Sequence, residues 1–331
     1  MEPGPSDCRN EGEKGSVALT GATGFIGGAI AERLTGSGWR VKALVRTAPK
    51  AKKLNRLGVE LVPGDLEDTE ALRSLLAGVQ AVVHCAGTVR GIDSEDFSRV
   101  NVAGTERIAS LAANMNPPPL FVSLSSLAAR EPQLSYYAAS KREGEVVLNP
   151  FAGAMPLTIL RPPAVYGPGD REMLPLLLLM MRRGVAPVLG SPEARFSMLY
   201  VDDLASAIEQ SLIAGGGGRG VFELHDGRVG GYTWSAVVEL AALERGKPVR
   251  RMAFPRGLLH GLGVVSQRWS RLTGTAPMLT PGKVRELTHA DWVCDNAEVS
   301  RALDWLPQVE FAEGLRRTLA WEQANRQGTE T

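Results

Sequence analysis

Apolar positions along this chain change period repeatedly. Val17-Ala18-Leu19 is a short continuous run, and after a glycine-rich turn the apolar positions fall at Phe25, Ile26, Ala29, Ile30 and Leu34. The first pattern predicts a buried strand and the second a helix with one apolar face. Further strands are predicted at Arg40–Arg46, Val59–Val62, Gln80–Cys85, Leu120–Leu124 and Leu157–Leu160. Helical stretches lie between them over 67–77, over 95–115 and from Tyr136 onward, and Asn116 with prolines 117–119 stops the second. Strands alternating with helices predict an α/β fold of the Rossmann type, a doubly wound parallel sheet.

Beyond Gly169 the alternation weakens. Helices are predicted over 174–183, 204–213, 234–244 and 312–321, with short extended pieces at 187–190, 195–201, 220–224 and 249–253. Asp202 and Asp203 are read as the cap of the second of these helices. The expected domains are a lead-in over 1–15, a dinucleotide-binding domain over 16–165, a smaller α/β substrate-binding region over 166–325 and a frayed tail over 326–331. Segments near 190–225 are expected to return to the first domain. The stretch 256–272 is apolar with three arginines. It reads as a helix covering a substrate cleft or a subunit contact, or as one lying on a membrane surface.

Composition narrows the class. With 37 Lys and Arg against 36 Asp and Glu in 331 residues, no nucleic-acid surface or acidic tail is expected. Cys8, Cys85 and Cys294 are few and far apart, so they read as reduced thiols of a cytoplasmic protein with no metal site. The longest greasy run, 173–181, is interrupted by Pro175 and is too short to span a bilayer.

The turn between the first strand and helix carries the first chemistry. Gly21, Gly24 and Gly27 are spaced G-x-x-G-x-x-G, with Thr23, Phe25 and Ile26 between them. Glycine permits the tight turn, the approach of a diphosphate and the packing of helix on strand. The free N–H groups at the helix start then face the phosphates. Arg46 closes strand two where an acidic residue would bind the ribose of NAD, and Lys50, Lys52 and Lys53 follow. That favours NADP(H), since arginine suits a 2′-phosphate. Asp65, beside Leu66, ends strand three, where it can accept from the adenine amine. Cys85-Ala86-Gly87 opens strand four toward the cofactor, with the Cys85 thiol read as core filling. Pro162 and Val165 belong to a rigid loop, 161–169, that walls the nicotinamide end.

Strand five ends in Ser125-Ser126, and Tyr137 and Lys141 stand one helical turn apart. A tyrosine with a free pKa near ~10 needs help to act as a base, and a nearby ammonium and an oxidised nicotinamide both favour the phenolate. Ser126 can hold a substrate oxygen while Tyr137 moves the proton. Tyr136 is the rival tyrosine and is assigned to substrate or packing, because no lysine follows it four residues on.

Together these motifs resemble the extended or atypical branch of the short-chain dehydrogenase/reductase superfamily. T-G-A-T-G-F-I-G is typical of that branch and here occupies 20–27. The resemblance implies that Tyr137 and Lys141 are the catalytic pair, that Ser126 is the catalytic hydroxyl with Ser125 as alternate, and that Asn101 is the asparagine near the site. Tyr200-Val201-Asp202-Asp203 matches a further family landmark. The branch includes dihydroflavonol-4-reductase-like ketone reductases, 3β-hydroxysteroid dehydrogenases and sugar-nucleotide epimerases. Leu174, Leu177, Phe196, Met198 and the 258–272 segment favour an apolar ketone or alcohol as the small-molecule substrate. Arg195 and Arg250 leave room for a sugar diphosphate, and a regulatory or structural NADP(H) binder is a third reading. A homodimer through helices 95–115 and 137–148 is also expected from the resemblance.

Overall fold

A computed structural model describes residues 14–47, 51–277 and 279–327. The lead-in expected over 1–15 falls mostly outside that range. Lys14 is held, its N–H donating to the Gly38 carbonyl at 3.1 Å and its Nζ to Glu209 at 2.9 Å. The tail beyond 327 and Cys8 also lie outside the described residues.

The first half runs β1 (Ser16–Thr20), α1 (Phe25–Gly36), β2 (Arg40–Val45), α2 (Lys52–Arg56), β3 (Glu60–Pro63), α3 (Thr69–Leu76) and β4 (Ala81–His84). It continues with α4 (Ser94–Ser98), α5 (Gly104–Ala113), β5 (Leu120–Leu124), α6 (Tyr136–Val146), β6 (Leu157–Arg161) and β7 (Ala164–Tyr166). The second half has α7 (Leu174–Leu178), β8 (Val185–Leu189), β9 (Arg195–Phe196), β10 (Met198–Tyr200), α8 (Val201–Ile213), β11 (Gly220–Glu223), β12 (Tyr232–Thr233) and α9 (Trp234–Arg245). It closes with β13 (Arg250–Phe254), α10 (Arg256–Thr273), α11 (Pro281–Leu287), β14 (Asp291–Trp292), α12 (Ala297–Leu303) and α13 (Phe311–Gln327).

Seven parallel strands form the main sheet in the order β11-β6-β5-β4-β1-β2-β3. The order reverses between β1 and β4, and there Thr20 stands opposite His84 in register. Ligands of doubly wound sheets sit at the carboxyl ends beside such a reversal. Both faces of the sheet are covered. One face packs Ile30 and Leu34 of α1 with Leu204 and Ile208 of α8, and the other packs Leu72 and Leu75 of α3 with Ile108 of α5. The expected doubly wound parallel sheet with a smaller region after it is the fold observed.

Three elements depart from the reading of the sequence. The single helix over 95–115 is instead α4, a π-helical turn at Arg99–Ala103 and α5. Gly144 of α6 lies so close that a Cβ on it would sit 2.5 Å from the Asn101 carbonyl oxygen. The helix over 174–183 likewise ends in a π turn, Leu179–Arg183. Asp203 does not cap α8 but lies in its first turn, accepting from the Gln308 and Val309 N–H groups and so tying the C-terminal segment down. The smaller region has its own core, in which Tyr166, Leu177, Met198, Tyr200, Tyr232 and Phe311 are buried.

Candidate active site

The glycine turn is a close-fitting cradle. Gly21 has φ 76°, and a Cβ there would meet the Ala86 nitrogen at 2.7 Å; on Gly27 it would meet the Gly21 oxygen at 2.1 Å. Only glycine fits either position. Gly24 stands at the head of α1 with no side chain capping the helix. Backbone N–H groups at that terminus are therefore left for an anionic ligand, and the helix dipole favours one. Phe25 is half-buried, and a Cβ added to Gly169 of the loop after β7 would lie 4.0 Å from its ring. The cradle fits a dinucleotide diphosphate on the observed geometry, and Thr23 and Gly24 are exposed at its mouth.

The catalytic candidates gather beside it. Ser135 starts α6 by accepting from the Ala138 N–H at 3.0 Å, which sets Tyr137 in the first turn. Ser126 leaves β5 and starts a short 3₁₀ turn, accepting from the Ala128 N–H at 3.2 Å. Burial pushes the Tyr137 phenol up to about 12; its hydrogen bond with Ser126 works the other way, and the Glu286 and Glu172 carboxylates add to the rise. At neutral pH the phenol holds its proton. Lys141 Nζ donates to the Leu124 carbonyl at 3.0 Å, and burial lowers the pKa of this ammonium against the opposing pull of Cys85 and Glu145. Gly87 brings Lys141 and Asn101 together, since a Cβ on it would sit 3.2 Å from Lys141 Nζ and 3.1 Å from Asn101 Oδ1.

Asn101 is buried in its π turn. Its Oδ1 accepts from the Thr88 N–H at 2.8 Å, and its Nδ2 donates to the Thr88 carbonyl at 3.0 Å and to Ser140 Oγ at 2.9 Å. These bonds fix the loop after β4 against α6. π turns inside helices recur at functional sites. The alternate serine, Ser125, is already engaged: its Oγ donates to Glu145 Oε1 at 2.5 Å. Arg161 completes that buried group, giving Glu145 a bond from Nε at 2.8 Å.

The sequence reading passed over one residue at the centre of the site. His84 is buried at the end of β4, with Nδ1 2.9 Å from Thr20 Oγ1 and Nε2 3.0 Å from Thr105 Oγ1. Thr105 donates its hydroxyl proton to the Asn101 carbonyl at 2.9 Å, so it accepts from Nε2–H. The imidazole is neutral, because burial and then the Lys141 charge lower its pKa to about 3. Thr20 Oγ1 accepts the Ala86 N–H at 3.1 Å and donates to Nδ1. Every bond thus runs one way, from the cofactor turn through His84 to Asn101. A lone histidine in an apolar strand gives no sequence sign of this; only the register of β1 and β4 reveals it.

The remaining candidates are scattered. Asp65 is exposed and its Oδ1 accepts from the Glu67 N–H at 2.8 Å, a turn-capping bond, while the Leu66 carbonyl accepts from Arg107 at 2.6 Å. Burial pushes the Cys85 thiol up to about 12, so it is no thiolate nucleophile at neutral pH. Pro162 is buried, its carbonyl accepting from the Leu127 N–H at 2.9 Å, and Val165 is half-buried on β7. Leu177 and Met198, expected to line the substrate pocket, are fully buried in the core of the smaller region, and half-buried Phe196 packs on Trp234 at 5.1 Å. Apolar composition had marked core, not pocket. Arg195 Nη1 donates to the Gly230 carbonyl at 3.1 Å, and Arg250 is exposed on β13. Arg90, after β4, pairs with Glu172, after β7, which links the two sides near Tyr137.

Among the described residues no three His, Cys, Asp or Glu side chains group to hold a metal. No helix there is long and apolar enough to cross a membrane.

Comparison with known proteins adds the family. Ceramide reductase of Caulobacter vibrioides is 38% identical over 314 residues, covering 94% of this chain and 95% of that protein. A 2-alkyl-3-oxoalkanoate reductase of Stenotrophomonas maltophilia is 27% identical, covering 92% of this chain and 98% of its own. UDP-glucuronic acid 4-epimerase of Bacillus cereus, solved as a mutant in complex with NAD, has a TM-score of 0.74 at 18% identity, covering 94% of this chain and 99% of that one. At that identity the likeness shows the fold.

The NADP(H) expectation is overturned. Six solved structures of this fold, three of one epimerase and one of a dehydratase among them, hold NAD. The basic run after β2 does not assemble as expected: Lys53 Nζ is bonded to Glu32 on α1 at 2.6 Å, Arg46 and Lys52 are exposed, and Lys50 lies outside the described residues. A basic strand end alone is a weak sign of a 2′-phosphate, because an exposed guanidinium also stacks on aromatic faces. The sugar nucleotides weighed as an alternative are named for these neighbours, and the family description names epimerase and dehydratase; the site is established at the coarser level of a hydride-transfer oxidoreductase. Residues 17–220 match the family described as NAD dependent epimerase/dehydratase, and with the glycine cradle, Ser126, Tyr137 and Lys141 in place, the chain belongs to that family within the extended short-chain dehydrogenases/reductases.

Proposed function

We propose that this protein reduces the ketone carbonyl of an apolar, lipid-like molecule with NADH, Tyr137 supplying the proton. The observation that carries the chemistry is the half-buried Tyr137, whose phenol is held protonated, set in the first turn of α6 one helical turn before Lys141 and facing Ser126. The substrate class rests on the Caulobacter relative, named for ceramide and similar over nearly the whole of both chains. The Stenotrophomonas relative, named for an oxoalkanoate, points the same way.

In the proposed reaction the cradle at Gly21–Gly27 holds the diphosphate and Lys141 steadies the site's far end. When bound, the cofactor supplies the hydride. Ser126 holds the substrate oxygen, and Tyr137 Oη gives it a proton as negative charge develops there. The Lys141 ammonium stabilises the phenolate left behind. Leu127 and Ala128, buried next to Ser126, put no carboxylate beside it for dehydration.

A second reading, sugar-nucleotide epimerase, is favoured by the family description and by a Vibrio cholerae UDP-glucose 4-epimerase 26% identical over 94% of this chain. One assay separates the two. Purified protein is given NADH with long-chain aliphatic ketones and keto-lipids, and separately NAD with UDP-glucose and UDP-glucuronic acid. NADH consumption on the ketones, lost in Tyr137→Phe, is the expected result. Epimerised sugar without net NADH formation would replace this reading with the second.

A further inference from the structure

Helix α10 carries an apolar face that no described residue of the chain covers. Leu258, Leu262, Val265, Trp269 and Leu272 are each at least half exposed, Trp269 by 68% and Leu272 by 82%. Their spacing, four then three residues repeated, sets them in one stripe about 20 Å long on a helix of eighteen residues. The opposite requirement is met elsewhere on the helix: Leu259 and Ser270 are buried, and Gly263 sits against Thr280 and Pro281 at the start of α11. So α10 is anchored along one face and leaves the neighbouring face bare.

Charge says what the bare face meets. From Arg245 to Arg285 the chain holds nine of its 37 basic residues and none of its 36 acidic ones. The rest of the chain is therefore net negative by eight, although the whole is +1. Lys247, Arg250, Arg251 and Arg268 lie along this stretch, with Arg250 and Arg251 exposed on β13, and Met252, 48% exposed, adds an apolar group just before the helix. A second copy docking through α10 would bring two such basic segments together with no carboxylate between them. A nucleic acid would satisfy the charges and leave the leucines and Trp269 in water. An anionic bilayer surface satisfies both at once: acyl chains receive the stripe and phosphate headgroups receive the arginines.

We propose that α10, with the basic strand before it, is a membrane-surface anchor for anionic lipid. The placement relative to the active site gives this a use. α10 packs on α11, whose Glu286 is hydrogen-bonded to Ser135, the cap of the helix that carries Tyr137. A Cβ on Gly282 of α11 would sit 2.8 Å from the Ser135 side chain. The catalytic tyrosine is thus one helix away from the lipid-facing one. The anchor rests on the surface alone, whereas its service in collecting a lipid carbonyl rests on the function proposed above.

The test uses the full chain and sucrose-loaded vesicles, either phosphatidylcholine alone or phosphatidylcholine with phosphatidylglycerol. Co-sedimentation is expected to be at least tenfold stronger with phosphatidylglycerol and to weaken with salt. It should be lost in the triple variant Leu262→Ser, Val265→Ser, Trp269→Ser and reduced at least tenfold in Arg250→Glu, Arg251→Glu. Both variants change exposed side chains, and both should keep the parent's thermal midpoint and its turnover of a short, water-soluble ketone. Vesicle binding that survives the triple variant overturns the proposal. So does a wild-type dimer that the triple variant dissociates without any vesicle binding, and so does binding of duplex DNA in place of vesicles. Because sedimentation needs no substrate, a protein that binds vesicles but reduces no ketone would refute the activity and leave the anchor standing.

Discussion

The cofactor half of the molecule and the segment from β13 to α11 treat polar and apolar groups in opposite ways. Around the glycine turn buried polar groups are answered from within: Thr20, His84, Thr105 and Asn101 form one directed chain, and Glu145 is bonded by Ser125 and Arg161. Along α10 the apolar stripe faces outward, in a stretch, 245–285, that carries basic side chains and no acidic ones. Chemistry needs the first arrangement, because a reacting proton must meet fixed partners. Recognition of something outside the chain needs the second. The contrast predicts where substitutions will hurt.

The largest effect should come from the reacting proton itself. Tyr137→Phe keeps the ring, which packs edge-on against Phe97 at 6.4 Å, and deletes only the hydroxyl. Turnover should fall about 10³-fold, within the range for loss of a general acid. NADH affinity, followed by fluorescence titration, should stay within about threefold because the cradle is untouched. The pH profile sharpens the assignment. With the phenol held up near 12, reduction should be flat from pH 6 to 9, since the acid stays protonated throughout. Oxidation of the alcohol needs the phenolate and should rise with pH over the same range. A reduction rate that falls in step with deprotonation near pH 7 would remove Tyr137 as the acid.

Next is the cradle. Gly27→Ala places a methyl 2.1 Å from the Gly21 oxygen, and the turn cannot keep its shape. A loss of about 2–3 kcal/mol is expected from such overpacking, together with loss of NADH binding. Urea denaturation and titration read the two separately. Unchanged binding would mean that the turn is looser than its geometry.

His84→Gln tests whether the directed chain holds the site. It leaves Thr20 and Thr105 imperfectly partnered, at a cost of about 1–3 kcal/mol. The sign of the pH effect follows from the lowered pKa. Between about 6.5 and 3 the unfolded state binds a proton that the folded state refuses, so stability falls as pH drops through that window. The variant should show a shallower fall between pH 6.5 and 5 than the parent. An equal slope would mean that other groups set it.

How far the sequence foretold this divides along the same line. The glycine spacing, the strands before and after it, and Tyr137 with Lys141 were legible because local rules fix them: a strand-turn-helix needs those glycines, and one helical turn joins the pair. His84 was invisible because its partners, Thr20 and Thr105, lie 64 and 21 residues away, joined to it only by the register of β1 with β4 and by the packing of α5. The π turn at Asn101 was missed because a helical period hides one extra residue. Leu177 and Met198 looked like pocket because apolar composition cannot tell an inner wall from a second core. Arg46 misled in another way: a single exposed guanidinium does not select a phosphate.

The smallest effect lies on α10 and should have the opposite sign. A Cβ added at Gly261 meets nothing within 4 Å, in contrast to the collision at Gly27. Alanine there removes glycine's conformational freedom from a helix interior, which stabilises by about 0.5–1 kcal/mol. Gly261→Ala should therefore raise the thermal midpoint by about one or two degrees and leave ketone turnover and vesicle binding unchanged, because it alters neither the stripe nor the basic residues. A destabilised protein would show that the face around Gly261 is covered by something the isolated chain already carries, and the contrast between the two regions would fail at its simplest point. A stabilised one would show that this helix is built with slack where the cofactor turn has none.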